Sequence, residues 1–130
     1  MAIRVVRLGS PRHSDEGLRL GTVRRPPRGV KKTDFAKRDY YDVWLPELSP
    51  NAKVVGAALA SDWTDAKWKK FRATYMKEMK APNARQLIEL LAVLSQRTNF
   101  SIGCYCEEER RCHRSILREL LADAGASFAD

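Results

Sequence analysis

Phe100-Ser-Ile-Gly-Cys104-Tyr-Cys106, then five charged residues, then Cys112-His113-Arg114, is the stretch on which the reading of this chain turns. The first seven residues carry no charge, are bounded by polar residues, and predict a buried strand. Glu107 to Arg111 mixes acids and bases and predicts a loop. From about Cys112 to Ala124, Ile116, Leu117, Leu120 and Leu121 recur at helical spacing, and Gly125 supplies the stop.

Two more helices are expected upstream. From Asp65 to Lys80, Trp68, Phe71, Tyr75 and Met79 recur every three or four residues between lysines, and Pro82 ends the run. Asn83-x-x-Gln86 then resembles a capping box, with Leu87, Leu90, Leu91 and Leu94 lining one face of the next helix. The aromatic stripe and the leucine stripe both read as core. At the start, Ile3-Arg-Val-Val-Arg-Leu8 is β-branched and predicts an opening strand. Leu18 to Val23 is a second strand or part of a long loop. Arg24 to Lys32, with two prolines and Gly29, is loop, and Tyr40 to Leu45 is an apolar patch stopped by Pro46. A strand at the start and helix–strand–helix at the end predict an α/β fold: one compact layered domain over residues 1–130, with a small, mainly parallel sheet flanked by helices.

The 130 residues suffice to bury a core without disulfide or metal. No apolar run has the length of a membrane span, so no membrane partner is expected. Met1-Ala-Ile-Arg-Val-Val-Arg7 has neither an apolar h-region nor a cleavage site, so no secretory signal is expected. Three cysteines, all between Cys104 and Cys112, do not make a secreted disulfide framework; a reducing cytoplasm is the expected location. The net charge of +8 is uneven: residues 1–38 hold 11 Lys/Arg against 3 Asp/Glu, whereas the remainder is balanced. The basic, loop-rich segment of about 9–38 can attract phosphates or nucleic acid, or form a solvated, partly mobile arm. Its single aromatic, Phe35, is too few for the stacking platform of a single-strand binder. Nucleic acid is therefore the lesser expectation. Oligomeric state is left open.

The cysteine cluster carries the chemistry. Alternate residues of a strand share a face, so Cys104 and Cys106 should point the same way. Cys112, His113 and Arg114 fall where the last helix begins, where unpaired amides and the dipole favour an anion. The leading expectation is a small anionic ligand, phosphate- or nucleotide-like, bound by Arg114 and Ser115, with Arg111 as a further candidate. In this reading Cys106 or Cys112 is a reactive thiolate and His113 an acid–base partner or orienter. A second expectation is structural: small buried cysteines, and Arg114 paired with Glu107, Glu108 or Glu109. The third is a metal site, zinc or iron, on Cys104, Cys106 and Cys112; the adjacent Cys112 and His113 are hard to aim at one tetrahedral ion. His13, isolated in a turn, is expected to be an exposed loop residue.

These motifs resemble the bacterial and archaeal proteins grouped as domain of unknown function 488, which include the YeaO-like proteins. Four stretches in order carry the likeness: Arg25-Pro-Pro-Arg28-Gly29-Val30-Lys31-Lys32; Asp42-Val-Trp44-Leu45-Pro-Glu47-Leu48-Ser-Pro50; Trp68-Lys-Lys-Phe71-x-x-x-Tyr75; and Cys104-x-Cys106…Cys112-His113-Arg114. Three positions depart from the pattern: Pro26 replaces a usual tryptophan, Val23 a common aspartate, and Trp63 lies near a frequent histidine. The resemblance implies a compact α/β fold and no agreed activity. It also puts Arg28, on its stiff Pro-Pro-Arg-Gly loop, beside Arg114 and His113 as a third group on the anion. The alternative is that Arg28 pairs with Glu47 or Asp42.

Overall fold

A computed structural model of the chain describes residues 2–51, 64–106 and 112–129. Four strands, β1 (Ile3–Arg7), β2 (Leu18–Gly21), β3 (Val43–Trp44) and β4 (Phe100–Cys104), form one sheet. All its pairings are parallel, in the order β1-β4-β2-β3. Helices α1 (Asp65–Glu78), α2 (Pro82–Leu94) and α3 (His113–Asp123) complete a compact α/β domain. The last strand in sequence is thus central, and reads as five consecutive buried residues. That is the pattern of a parallel strand covered on both faces.

One face of the sheet is covered by helices. Ile3, Leu20, Phe100 and Ile102 pack against Phe71, Tyr75 and Met79 of the α1 region, Ala84, Ile88 and Leu91 of α2, and Ile116, Leu117 and Leu121 of α3. Helix α1 begins at Thr64, whose hydroxyl accepts from the Lys67 amide, and carries the expected aromatic stripe inward. Trp68 remains half-buried at its edge.

Helix α2 departs from expectation twice. It starts at Pro82, with Ala81 before it and no side-chain cap, so Asn83 and Gln86 sit within the first turns and form no capping box. Its inward face is Ala84, Ile88, Leu91 and Ala92, whereas Leu90 and Leu94 point to solvent. The leucines are as periodic as the true core face. The alanines mark the side that approaches its neighbours closely.

Among the described residues, no α-helix lies on the other face. It is covered by the chain between β1 and β2 and by residues 35–42, and an ion pair holds this cover in place. Arg19, fully buried, donates from Nε and Nη2 to both oxygens of buried Glu16 at 2.7 and 2.9 Å. Its Nη1 donates to the carbonyls of Ser10 and Asp39, and Ser101 of β4 donates to Glu16 at 2.7 Å. Arg12 adds an outer layer through Asp39 and Asp42. The basic N-terminal third is therefore not a mobile arm over these residues; Arg12 and Arg19 are structural. Tyr41 lies so close on Gly21 that a Cβ there would meet its ring at 2.4 Å. Gly103 is similarly confined by Leu8 and the Val6 carbonyl. Beyond the C-terminal stop at Gly125 (φ +96°), the chain returns to β1. Phe128 bridges Ile3 in parallel, with Ile3 N–H donating to Ser127 and Ala129 N–H to Ile3.

Burial alone would raise the Glu16 pKa, but the Arg19 and Ser101 hydrogen bonds outweigh it and hold the carboxyl at about 2 against an ordinary 4.5. A depressed carboxylate stabilises the fold above its unfolded pKa, and that contribution disappears as pH falls through the folded value. Denaturant unfolding of Glu16→Gln should show a loss of about 3–5 kcal/mol at neutral pH. Between pH 5 and about 2 the parent should lose stability more steeply than this variant.

Candidate functional site at the C-terminal edge of the sheet

In parallel α/β sheets the carboxyl ends of the strands and the helix N-termini that follow them meet at one edge, where ligands are bound. Here that edge gathers Thr22 and Val23 after β2, Leu8 after β1, Cys104 to Cys106 at the end of β4, and Cys112 to Ser115 at the start of α3. Leu8, Val23, Tyr41, Cys104 and Cys112 form a small apolar cluster of their own, flanked by Phe35, Tyr40 and Tyr105. Two of the cysteines are thus core residues as well as site residues.

The three sulfurs lie within 4.8 Å of one another. Cys104 and Cys112 are buried, Cys106 is exposed, and none is in a disulfide. The Cys104 and Cys106 sulfurs do come together, although β4 ends at Cys104, short of the expected Cys106, and the chain bends at Tyr105. Hydrogen bonds from the Cys104 and Cys112 thiols pull the Cys106 pKa down to about 3, with the positive charge of Arg114 adding to the effect. The same sharing drives Cys104 up to about 12, and with burial it drives Cys112 up as well. The shared hydrogen bonds thus favour the charge on the exposed sulfur over the two buried ones.

His113 is oriented by backbone. Its Nε2 lies 2.6 Å from the Thr22 carbonyl, an acceptor only, so Nε2 carries the proton and donates. In the neutral ring Nδ1 is then an acceptor, and it faces the Cys112 sulfur at 3.7 Å. Burial pushes the His113 pKa down to about 4, against the Thr22 carbonyl bond, so the imidazole is neutral at physiological pH. Tyr75 braces the ring edge-on at 5.6 Å and donates its own hydroxyl to the Leu48 carbonyl at 2.7 Å. These contacts make His113 an orienter of Cys112; so acidic an imidazole is a weak general base.

Arg114 is 4% exposed, and its Nη1 donates to the Val6 carbonyl at 2.6 Å. Its Nε is buried without a partner, as is the Tyr41 hydroxyl in the adjoining apolar cluster. Ser115 donates its hydroxyl to the Cys112 carbonyl at 2.8 Å, so that proton fixes the helix start. Arg28 is exposed on its loop, with Gly29 left-handed at φ +70°. Asp42, one of its considered partners, is taken by Arg12 and by the Arg19 amide. The Arg28 loop is anchored on its N-terminal side. Arg24 donates to the Ser49 and Pro50 carbonyls, and Tyr105, between the two strand cysteines, donates to the Arg25 carbonyl at 2.9 Å. Arg111, Glu107 to Glu109 and Trp63 lie outside the described residues. His13 is exposed, as expected of a loop histidine.

Cys104, Cys106 and Cys112 are also the residues that could hold a thiophilic ion, offering three sulfurs and an open fourth position. His113 is not the fourth ligand, since both its nitrogens are engaged. The Glu16–Arg19 pair and the Thr22–His113 bond went unread in the sequence. The only signal for the first was an acid three residues before a base on a strand.

Over residues 3–125 the chain matches the family model described as the active DUF488-N3 subclade, and it belongs to the DUF488 family. The curated proteins and the solved structures give no match.

If Cys106 is the sole thiolate, iodoacetamide should label it first, at a rate nearly flat from pH 5 to 8. Cys104, held up at about 12, should stay unlabelled until the protein unfolds. Peptide mapping of the labelled protein checks both.

Proposed function

We propose that this protein is a cytoplasmic domain that binds a small anionic, phosphate- or nucleotide-like ligand at the C-terminal edge of its sheet, with the Cys106 sulfur facing that ligand. The observation that carries this reading is Arg114: a buried guanidinium with an unpartnered Nε, at the first turn of α3 and in electrostatic contact with the thiols. A buried donor without a partner costs about 1–3 kcal/mol. An anion at the helix start would recover that cost and would meet first-turn amides with no partner inside the helix.

The roles divide by placement. Cys106 is the nucleophile, Cys112 and Cys104 hold its charge, and His113 orients Cys112. Arg114 is the inner cation, and Arg28 on its Pro-Pro loop is an outer one, added as the ligand seats.

The test is protection of Cys106. Inorganic phosphate or a nucleoside monophosphate should slow its alkylation at least tenfold when saturating, and Cys106→Ser should retain binding. Arg28→Ala should weaken binding about tenfold, equivalent to ~1.4 kcal/mol, the scale of one charged hydrogen bond. Arg114→Gln should weaken it more, with unfolding measured alongside because the residue is buried. Two results would replace this reading. One is near-stoichiometric zinc or iron, lost in Cys112→Ser. The other is oligonucleotide binding that falls steeply with salt and survives Cys106→Ser.

A further inference from the structure

The site pairs one accessible sulfur with two sheltered ones. Cys106 is exposed, whereas Cys104 is 1% and Cys112 2% exposed, and all three sulfurs lie within 4.8 Å. We propose that Cys106 and Cys112 are a peroxide-responsive pair, Cys106 taking the oxygen and Cys112 closing a reversible disulfide on it. This inference rests on the reading of Cys106 as the nucleophile of the site.

Access decides which sulfur reacts first. A hydroperoxide arriving from solvent meets Cys106, and the thiolate attacks the outer peroxide oxygen. A sulfur–oxygen bond forms, the oxygen–oxygen bond breaks, and with one proton the leaving group departs as an alcohol, or as water from hydrogen peroxide. Cys106 is now a sulfenic acid, oxidised by two electrons, and the peroxide is reduced by two. A neighbouring thiol then attacks the Cys106 sulfur. The sulfur–sulfur bond forms, hydroxide leaves, and it takes up the attacking thiol's proton to depart as water.

Geometry decides which thiol that is. Cys104 belongs to β4, in register with Arg7, and its carbonyl accepts the Leu8 amide at 2.8 Å. The chain bends at Tyr105 just past the strand, and a bond between cysteines with one residue between them closes a small, strained ring. A Cys104–Cys106 bridge would therefore strain the central strand. Cys112 is under no such constraint. It precedes α3 in extended conformation (φ −126°, ψ 149°), and its side chain makes no capping bond. Its sulfur is held by His113 Nδ1 at 3.7 Å, and the departing hydroxide takes the thiol proton as the sulfur attacks. The bridge would close a ring spanning residues 106 to 112, pull Cys112 from His113, and remove the nucleophile. Oxidation would thus switch the site off, and a dithiol reductant would restore it.

Tryptic mapping under non-reducing conditions reads the bridge, because Arg110 and Arg111 separate the peptide holding Cys104 and Cys106 from the one holding Cys112. After hydrogen peroxide at low excess, the two peptides should appear joined, with the loss of two hydrogens, as the main Cys112 species. They should still be joined in Cys104→Ser and separate in Cys106→Ser. In Cys112→Ser, Cys106 should persist as a sulfenic acid captured by a cyclic 1,3-dione. A parent whose Cys106 passes to sulfinic acid with the peptides separate would overturn the proposal. So would a bridge confined to Cys104 and Cys106, or peptides still joined in Cys106→Ser. Phosphate protection of Cys106, measured on reduced protein, is independent of these outcomes and separates failure here from failure of the ligand reading.

Discussion

The buried pairing of Arg19 with Glu16 is the constraint on which the rest of this structure depends. A parallel sheet needs cover on both faces, and among the described residues the three α-helices cover only one. The other face is covered by irregular chain, which has no repeating backbone hydrogen bonds to hold it. Arg19 substitutes for them: its guanidinium joins Glu16, Ser10 and Asp39, and Ser101 ties Glu16 to the central strand. Such a pair is costly to desolvate and strongly destabilising to break from one side. It converts two loops into a layer. On that layer rest Leu8, Tyr41 and Val23, the apolar cluster shared with Cys104 and Cys112.

Strand order then places the chemistry. Because β4 is inserted between β1 and β2, its C-terminal end lies between two other strand ends, with Thr22 on one side and Leu8 on the other. The cysteines are thereby enclosed by polar backbone on both flanks. The Thr22 carbonyl fixes the His113 tautomer, and the Val6 carbonyl takes one Arg114 nitrogen while leaving Nε free. A site at the end of an outermost strand would leave these groups to water. At the centre their partners are fixed, and one sulfur, that of Cys106, is left exposed.

Much of this was legible in the sequence, for identifiable reasons. The strand 100–104 and the helix after it announce themselves by an uncharged run, a helical repeat and a terminal glycine, and the fold class follows. The Cys104 and Cys106 sulfurs meet as expected, but β4 stops at Cys104 and a bend at Tyr105, not strand alternation, carries Cys106. What stayed hidden depends on contacts between distant residues. Leu90 and Leu94 share the period of Ile88 and Leu91, so the buried face could not be chosen from spacing alone. Arg19 looked like one base among many in a basic segment, and only the folded chain brings it to Glu16 and Asp39. Arg114 was rightly placed at the helix start; the Val6 carbonyl that holds it comes from another strand.

The return of the chain to β1 has a further consequence. A sheet has two margins, each a row of unsatisfied amides and carbonyls on which another chain can add. Along β1, the amide of Ile3 donates to Ser127 and its carbonyl accepts from Ala129. The margin on that side is closed by the protein's own C-terminal segment. The opposite margin, β3, is only two residues long, and Pro46 and its short helical turn follow at once. Neither margin of the described sheet thus offers a long free strand for another chain to extend.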